Sequence, residues 1–507
     1  MLSVTYSAAL SGLEGYIVTV ECSGQNNLPK LEIVGLPDMA IREAQQRMVA
    51  AAENSGIPFP ELAMLVNLAP ADRKKEGSAF DLAMLAAILQ CGGVIPHDVP
   101  MEDKCFIGEL SLSGQVRAVR GVLNMALSAA EAGKRELFVP VNNVAEAAAV
   151  AGITVYGVPG IGALVDHLSG RERLTPAEPV RADLTALPEE LDFRDVKGQK
   201  RVKRALEIAA AGSHNILMIG APGSGKSMLA KRLPSILPPM TFAESVETTK
   251  IHSVAGILGG AGLVTVRPFR SPHHTMSAAA LVGGGKIPEP GEIALAHNGV
   301  LFLDELPEFA RPVTESLRQP LEDGCVTITR AAGRFTFPTR TMLVCAMNPC
   351  PCGYYGSEVR PCSCRRDAIS KYLAKISGPL LDRIDMHVEV PALTFEEMST
   401  TERAEPSSAI RERVIRAREF AAARFVGGEM IPNGALSPAQ VRDMCVPDEA
   451  GSRILRRAMD KMGLSARGYD RILRVARTIA DLDQSENIAA QHVAEAVQLR
   501  ALDRKYW

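Results

Sequence analysis

The sequence predicts an α/β chain built on a parallel sheet, with an α+β domain before it and a helical domain after it. Three observations carry that expectation. Short, wholly apolar runs at Ile216–Ile219, Val300–Leu303 and Met342–Ala346 suit strands covered on both faces. Gly220 to Ser227 fits G-x-x-x-x-G-K-[ST], with an apolar strand before it and the helical run Met228–Leu233 after it. The chain beyond residue 410 carries helical patterns through Gln498, rich in arginine and poor in β-branched runs.

Taken in order, residues 1–167 mix strand-like runs (Tyr16–Cys22, Leu31–Val34, Ala63–Leu68) with helical runs such as Met125–Ala132. Residues 168–190 carry several prolines and no sustained periodicity, and read as a linker. Residues 191–394 form the strand–turn–helix core, the polar stretch 395–409 reads as a second linker, and 410–507 is the helical domain. A length of 507 residues accommodates these separate domains, each able to bury its own core.

Composition narrows the function classes. Lys and Arg number 56 against 58 Asp and Glu, a net charge of −2, so a protein basic all over is excluded and any nucleic-acid contact has to be local. The first fifteen residues lack a basic segment followed by an apolar run, and the most apolar stretch, Leu82–Leu89, is far short of the roughly 20 residues that span a bilayer. The ten cysteines, four of them crowded together, do not resemble a secreted disulfide framework. The expectation is a cytoplasmic protein with no membrane partner.

The chemistry concentrates in two motifs. In Gly220-Ala221-Pro222-Gly223-Ser224-Gly225-Lys226-Ser227, the glycines let backbone N–H groups curl around phosphate oxygens at a helix N-terminus. Lys226 would reach the β- and γ-phosphates of ATP, and the Ser227 hydroxyl would bind Mg²⁺. The strand Val300–Leu303 ends in Asp304 and Glu305. Asp304 would join Ser227 at the metal, and Glu305 would polarise a water for in-line attack.

A third cluster is Cys350-x-Cys352-x9-Cys362-x-Cys364. Four thiols so close, among Pro and Gly turns, can close on one tetrahedral Zn²⁺. The alternative is a reduced loop in a reducing compartment.

The phosphate loop, Asp304-Glu305, the strand ending Ala346-Met347-Asn348-Pro349 and the string Leu380 to Asp385 together resemble an AAA+ ATPase. The resemblance implies that Asn348 orients the attacking water. It also implies that Arg383 reaches into the neighbouring subunit's site as a trans-acting finger, against the plain alternative of a salt bridge to Asp382 or Asp385. Ser465 to Arg471 is similar to the second sensor of magnesium-chelatase-type AAA+ proteins. That role goes to Arg467, with Arg471 as the runner-up.

Longer strings are closer still to the ComM/YifB group of magnesium-chelatase-like proteins: Arg267 to Thr275, Gly291 to His297, Arg318 to Gly324 and Asn348 to Gly353. Membership would imply a homo-hexameric ring. For ComM members it implies a helicase that drives branch migration while incoming DNA is integrated by homologous recombination, with single-stranded or branched DNA and recombination proteins as partners. A chelatase-like ATPase that remodels a protein and never touches DNA is the alternative.

In related clades a hairpin before the first sensor lines the pore. The runs Cys325–Arg330 and Arg334–Arg340 read as such a hairpin, turning at Ala331-Ala332-Gly333, and Arg330 and Arg334 would offer charge to DNA phosphates. His273 and His274 belong to a second candidate pore loop, their rings expected to point oppositely. An ordinary exposed loop or an intersubunit contact is the alternative for both. Arginines from Arg411 to Arg424, interleaved with Glu412 and Glu419, read as a solvated, salt-bridged helix rather than a DNA face.

Residues 1–167 resemble the Lon-protease fold, of ribosomal S5 type. The nucleophile position falls on or next to Ala79, beside Ser78, and the matching lysine region, Arg120 to Met125, has no lysine. A serine without its base implies that the protease chemistry is lost.

Overall fold

The computed structural model describes residues 1–180, 183–184, 191–285, 288–330, 333–356, 360–399, 403–425, 430–502 and 506. Most of the first expected linker beyond residue 180 and the alanines expected at the hairpin turn lie outside the described residues. The chain divides into two compact units.

The first unit comprises Met1–Asp183 together with Phe242–Thr265 and Thr329–Phe337. Its larger sheet has four strands in the order Leu2–Ser11, Glu14–Gln25, Ala63–Ala69, Lys30–Val34. The first three run antiparallel and the last pairs parallel. Alternation along Glu14–Gln25 buries Val18, Val20 and Cys22 on one face, as a half-covered strand should. Against that face lies Asp81–Cys91, a helix buried along its whole length, which explains why Leu82–Leu89 is the most apolar run of the chain. A second, parallel sheet orders Lys104–Phe106, Glu136–Pro140 and Thr154–Val158. The helix Phe242–Ala255 joins this unit by packing on Val122–Glu131, and the Gly121 N–H donates to the Ser253 carbonyl at 3.0 Å.

The second unit is the α/β core and its helical extension. Five strands, all parallel, lie in the order Phe269–Arg270, Val300–Leu303, Met342–Met347, Ile216–Ile219, Met386–Glu389. This is the AAA+ arrangement of an α/β fold, and the expected apolar runs are its three central strands. Chain order reverses beside Ile216–Ile219, and such a switch point opens a crevice at the carboxyl ends of the strands. The region expected as a linker near 395–409 contains a short helix, Phe395–Ser399, and the start of Ser407–Ala422. Helices Pro438–Met444, Glu449–Met462, Ala466–Leu482 and Ala490–Gln498 complete the lid, with Ser437, Asp448 and Ser465 capping the first three.

The arginines of Ser407–Ala422 and just beyond are salt-bridged as expected, and Arg416 is exposed, but Arg413, Arg418 and Arg424 turn from solvent to partners across the fold. Arg418 donates to the Ala210 and Ala211 carbonyls at 2.8 and 3.1 Å, Arg413 pairs with Glu207 and Glu405, and Arg424 pairs with Asp481 at 2.6 Å. Their partners lie on other elements, because the helix packs one side onto the core and its long arginines reach across the seam. A buried ion pair ties lid to core in the same way. Asp385 accepts from Arg471 at 3.2 Å and from the Asn215 N–H at 2.9 Å, with His214 at 3.6 Å. Burial alone would raise the Asp385 carboxyl, but neighbouring His214, the Arg471 charge and the Asn215 N–H outweigh it and hold it at about 2.

Candidate nucleotide site

Ile216–Ile219 delivers the chain to the crevice, and the loop after it turns back into the helix Lys226–Arg232. Two of the loop glycines are required by conformation, since Gly223 and Gly225 sit at φ 76° and 92°. Gly220 is required by approach: a Cβ there would lie 2.4 Å from the Val390 carbonyl oxygen. The Ser224 hydroxyl is buried in the loop with no hydrogen-bond partner among the described residues. An oxyanion in this cradle would supply one, so the residues fit a bound phosphate chain.

Lys226 is 8% exposed, and its Nζ donates to the Gly220 and Ala221 carbonyls at 2.8 and 2.9 Å and to Asn348 Oδ1 at 3.2 Å. Burial pulls its pKa below the ordinary lysine value, against the opposing pull of Asp304 and Glu305. The ammonium is thus gathered at one point with the asparagine that ends Met342–Met347. Ser227 Oγ donates to Asp304 Oδ2 at 2.5 Å, and Asp304 Oδ1 accepts from the Glu305 N–H at 2.9 Å. A hydroxyl and a carboxylate side by side are the oxygen donors a hard cation such as Mg²⁺ takes, so these two residues fit it.

Glu305 sits at φ 53°, a left-handed conformation uncommon for a residue with a side chain, and its carboxylate is 58% exposed. It faces His274, whose Nδ1 lies 3.7 Å away. The rings of His273 and His274 do not point oppositely as expected: their centroids are 4.2 Å apart, and His273 Nδ1 bonds Thr275 Oγ1 at 2.9 Å. The loop is bent there rather than extended, which turns both rings to one side. The position of His274 beside Glu305 went unread in the sequence, where the sole signal was the His-His pair itself.

The other expected groups are placed as follows. Arg383 is 11% exposed, donating to the Arg318 and Pro379 carbonyls at 2.9 and 2.7 Å and pairing with Glu322. Its ion-pair partner is therefore neither Asp382 nor Asp385. Arg467 is exposed in the first turn of Ala466–Leu482, whereas Arg471 is spent on Asp385. Arg330 and Arg334 are exposed on the two-stranded hairpin Cys325–Arg330 and Gly333–Pro338. Cys350, Cys352, Cys362 and Cys364 bring their sulfurs within 4.8 Å of one another.

Several strings that resembled a family prove to be internal cross-links. Arg270 clamps Glu292 through two bonds of 2.6 and 2.7 Å, Arg267 donates to the Pro238 and Asn298 carbonyls at 2.7 Å, and Glu322 holds Arg383. Among the described residues no helix is long and apolar enough to cross a membrane.

Family models and several known proteins resemble the chain. Residues 192–398 match the family described as magnesium chelatase, subunit ChlI; residues 20–143 match subunit ChlI of Mg-chelatase, and 404–500 its C-terminal family. The chain is 42% identical to the competence protein ComM of Haemophilus influenzae, over 99% of this chain and 98% of that one. It is 39% identical to YifB of Salmonella typhimurium, over 99% and 98%. A more distant likeness, 22% over 61% of this chain and 36% of the other, is to the DNA replication licensing factor Mcm6 of Drosophila melanogaster.

Proposed function

The chain belongs to the ComM/YifB group of magnesium-chelatase-like AAA+ proteins, and from that premise we propose that it is an ATP-driven DNA translocase, a cytoplasmic homo-hexamer acting as a helicase. In this reading it promotes branch migration when transforming DNA is integrated by homologous recombination, alongside recombination proteins. One observation supports the ATPase half: beside the glycine loop Lys226 bonds Asn348 and Ser227 bonds Asp304, with Glu305 next in the chain. The likeness to a competence protein and to a replication licensing factor supports the DNA half.

The residues divide the work. The backbone of Gly220 to Gly225 and the Lys226 ammonium bind and orient the β- and γ-phosphates. Ser227 and Asp304 would hold Mg²⁺, which when bound neutralises phosphate charge. Glu305 takes the proton of the attacking water, Asn348 orients that water, and Arg467 contacts the γ-phosphate from the lid. For Arg383 to act on a neighbour's γ-phosphate it must exchange Glu322 for that ligand. Arg330, Arg334, His273 and His274 are the candidate DNA contacts of the pore. The Lon-like residues 1–167 serve binding or assembly rather than proteolysis.

The test is ATP turnover with no DNA, single strands, duplex and a branched junction, with Lys226→Ala as the blank. Stimulation greatest with single strands or junctions is expected. The match to chelatase subunits favours a second reading, remodelling of a protein partner, and a rate indifferent to every DNA would select it.

A further inference from the structure

We propose that Cys350, Cys352, Cys362 and Cys364 form a structural tetrathiolate site for Zn²⁺, and that the loop so closed braces the phosphate loop and Asn348. The bracing half rests on the nucleotide-site reading above; the metal half does not.

The sulfur geometry comes first. Cys350 Sγ lies 3.4 Å from Cys352 Sγ and 3.6 Å from Cys362 Sγ, and the latter two are 3.6 Å apart. A tetrahedral ion with Zn–S bonds of about 2.3 Å sets its ligand sulfurs about 3.8 Å apart, whereas a disulfide sets them at about 2.05 Å. The spacing matches the edges of a metal tetrahedron and none of the three pairs is bonded. Among the described residues this is the one group of three or more His, Cys, Asp or Glu whose ligand atoms converge in this way.

Backbone amides point at the sulfurs as well: the Cys352 N–H reaches Cys364 Sγ at 3.3 Å and the Cys364 N–H reaches Cys362 Sγ at 3.4 Å. Donors so placed stabilise thiolates and orient them as ligands. Four thiolates leave no open coordination position, so the ion is structural rather than catalytic.

The loop's two neighbours give the site its consequence. Cys350 follows Asn348 by two residues, and Asn348 Oδ1 accepts from Lys226. The turn Cys350–Gly353 is closed by the Gly353 N–H on the Cys350 carbonyl at 2.9 Å. Gly353 is at φ 85°, and a Cβ there would stand 2.4 Å from Cδ of Pro222, inside the phosphate loop. One cysteine turn therefore touches the phosphate loop through Gly353 and continues from Asn348. Fixing its sulfurs on an ion fixes both, because a closed coordination sphere removes the turn's freedom to move away from Pro222.

The experiment uses the full chain, purified without an affinity tag, and reads metal content by mass spectrometry and affinity for a fluorescent non-hydrolysable ATP analogue. The expected result is one zinc per chain, with an intense thiolate-to-metal band when Co²⁺ replaces it. Cys362→Ser/Cys364→Ser should lose the ion and bind the analogue about tenfold more weakly. Gly353→Ala should keep the ion and lose affinity, since its methyl group meets Pro222. Wild-type chain stripped by a chelator should regain affinity with Zn²⁺ and not with Mg²⁺ alone.

A chain that carries no zinc as purified and binds the analogue as tightly as zinc-loaded chain would overturn the proposal. So would a double-cysteine variant with wild-type circular dichroism and wild-type affinity. A chain that holds zinc but neither binds nor hydrolyses ATP would sink the nucleotide reading, and the brace with it, while leaving the metal site standing.

Discussion

The phosphate crevice and the Ser78 region of the first unit make an instructive pair, because each carries reactive side chains that sequence resemblance links to an active site. Around Lys226 the groups converge: the ammonium bonds the Asn348 amide, the Ser227 hydroxyl bonds the Asp304 carboxylate, and the charges of Asp304 and Glu305 bear on the ammonium. Around Ser78 they do not. Its hydroxyl donates to the Glu109 carboxylate, and Lys75, fully buried, donates to the Pro70 carbonyl, its pKa lowered by burial. Neighbouring Asp81 is spent on Arg47 through two bonds of 3.0 Å. The Lon-type pair is a serine with a lysine base; here the serine faces a carboxylate and the nearby lysine is turned to a carbonyl, so that pair is not assembled.

The largest effect that would break this comparison belongs to Glu305. Glu305→Gln should still bind ATP but hydrolyse it on the order of 10³-fold more slowly, since the water loses its base while phosphate contacts persist. Normal turnover in steady-state assays would remove Glu305 from the chemistry. Arg383→Ala is expected next. If the guanidinium serves the neighbouring site, turnover should fall on the order of 10³-fold and return in rings mixed with Lys226→Ala subunits, which keep the finger. Mixed rings as inactive as their parents would count against a trans role, and the Glu322 contact would then be its whole purpose.

A smaller effect sharpens the contrast through the lid. Arg471→Met leaves Asp385 buried with its carboxylate uncompensated and should cost about 3 kcal/mol in a denaturant titration. The sign with pH follows from a carboxyl held at about 2 against an ordinary 3.8. Its contribution, about 2 kcal/mol, is complete above about pH 5 and lost as pH falls toward 2. Wild type should therefore lose its stability advantage over Asp385→Asn across that window and at no higher pH. The smallest effect is at Ser78. Ser78→Ala should leave ATP turnover unchanged and cost about 1 kcal/mol, the value of one hydrogen bond. Peptidase activity in wild type that vanished in this variant would reverse the reading of that region.

The same pair shows where reading the chain in order succeeds. The phosphate loop is a local object: strand, glycines, lysine and helix are adjacent, so Gly220 to Ser227 and the buried strands around them were legible at once. Glu305 was legible too, because it ends a buried strand. His274 was not, since what places it beside Glu305 is a bend in a loop some thirty residues upstream. The arginines from Arg411 to Arg424 misled for a related reason. Their interleaved glutamates suggested local pairs, yet the better-shaped partners, Glu207 and Asp481, are brought in by packing.

By itself, the sequence determined the parallel-sheet core, the glycine loop between strand and helix, the helices after residue 410 and the family, all of which depend on neighbours within a turn or a strand. Only the tertiary structure decided that Phe242–Thr265 and Thr329–Phe337 belong with the first unit, that Arg383 rests on Glu322 and Arg471 on Asp385, and that Gly353 abuts Pro222. Periodicity and capping encode which face of an element is buried. They carry no information about which of many arginines, carboxylates or glycines a distant element will meet there, because that choice is made by close packing of the whole core.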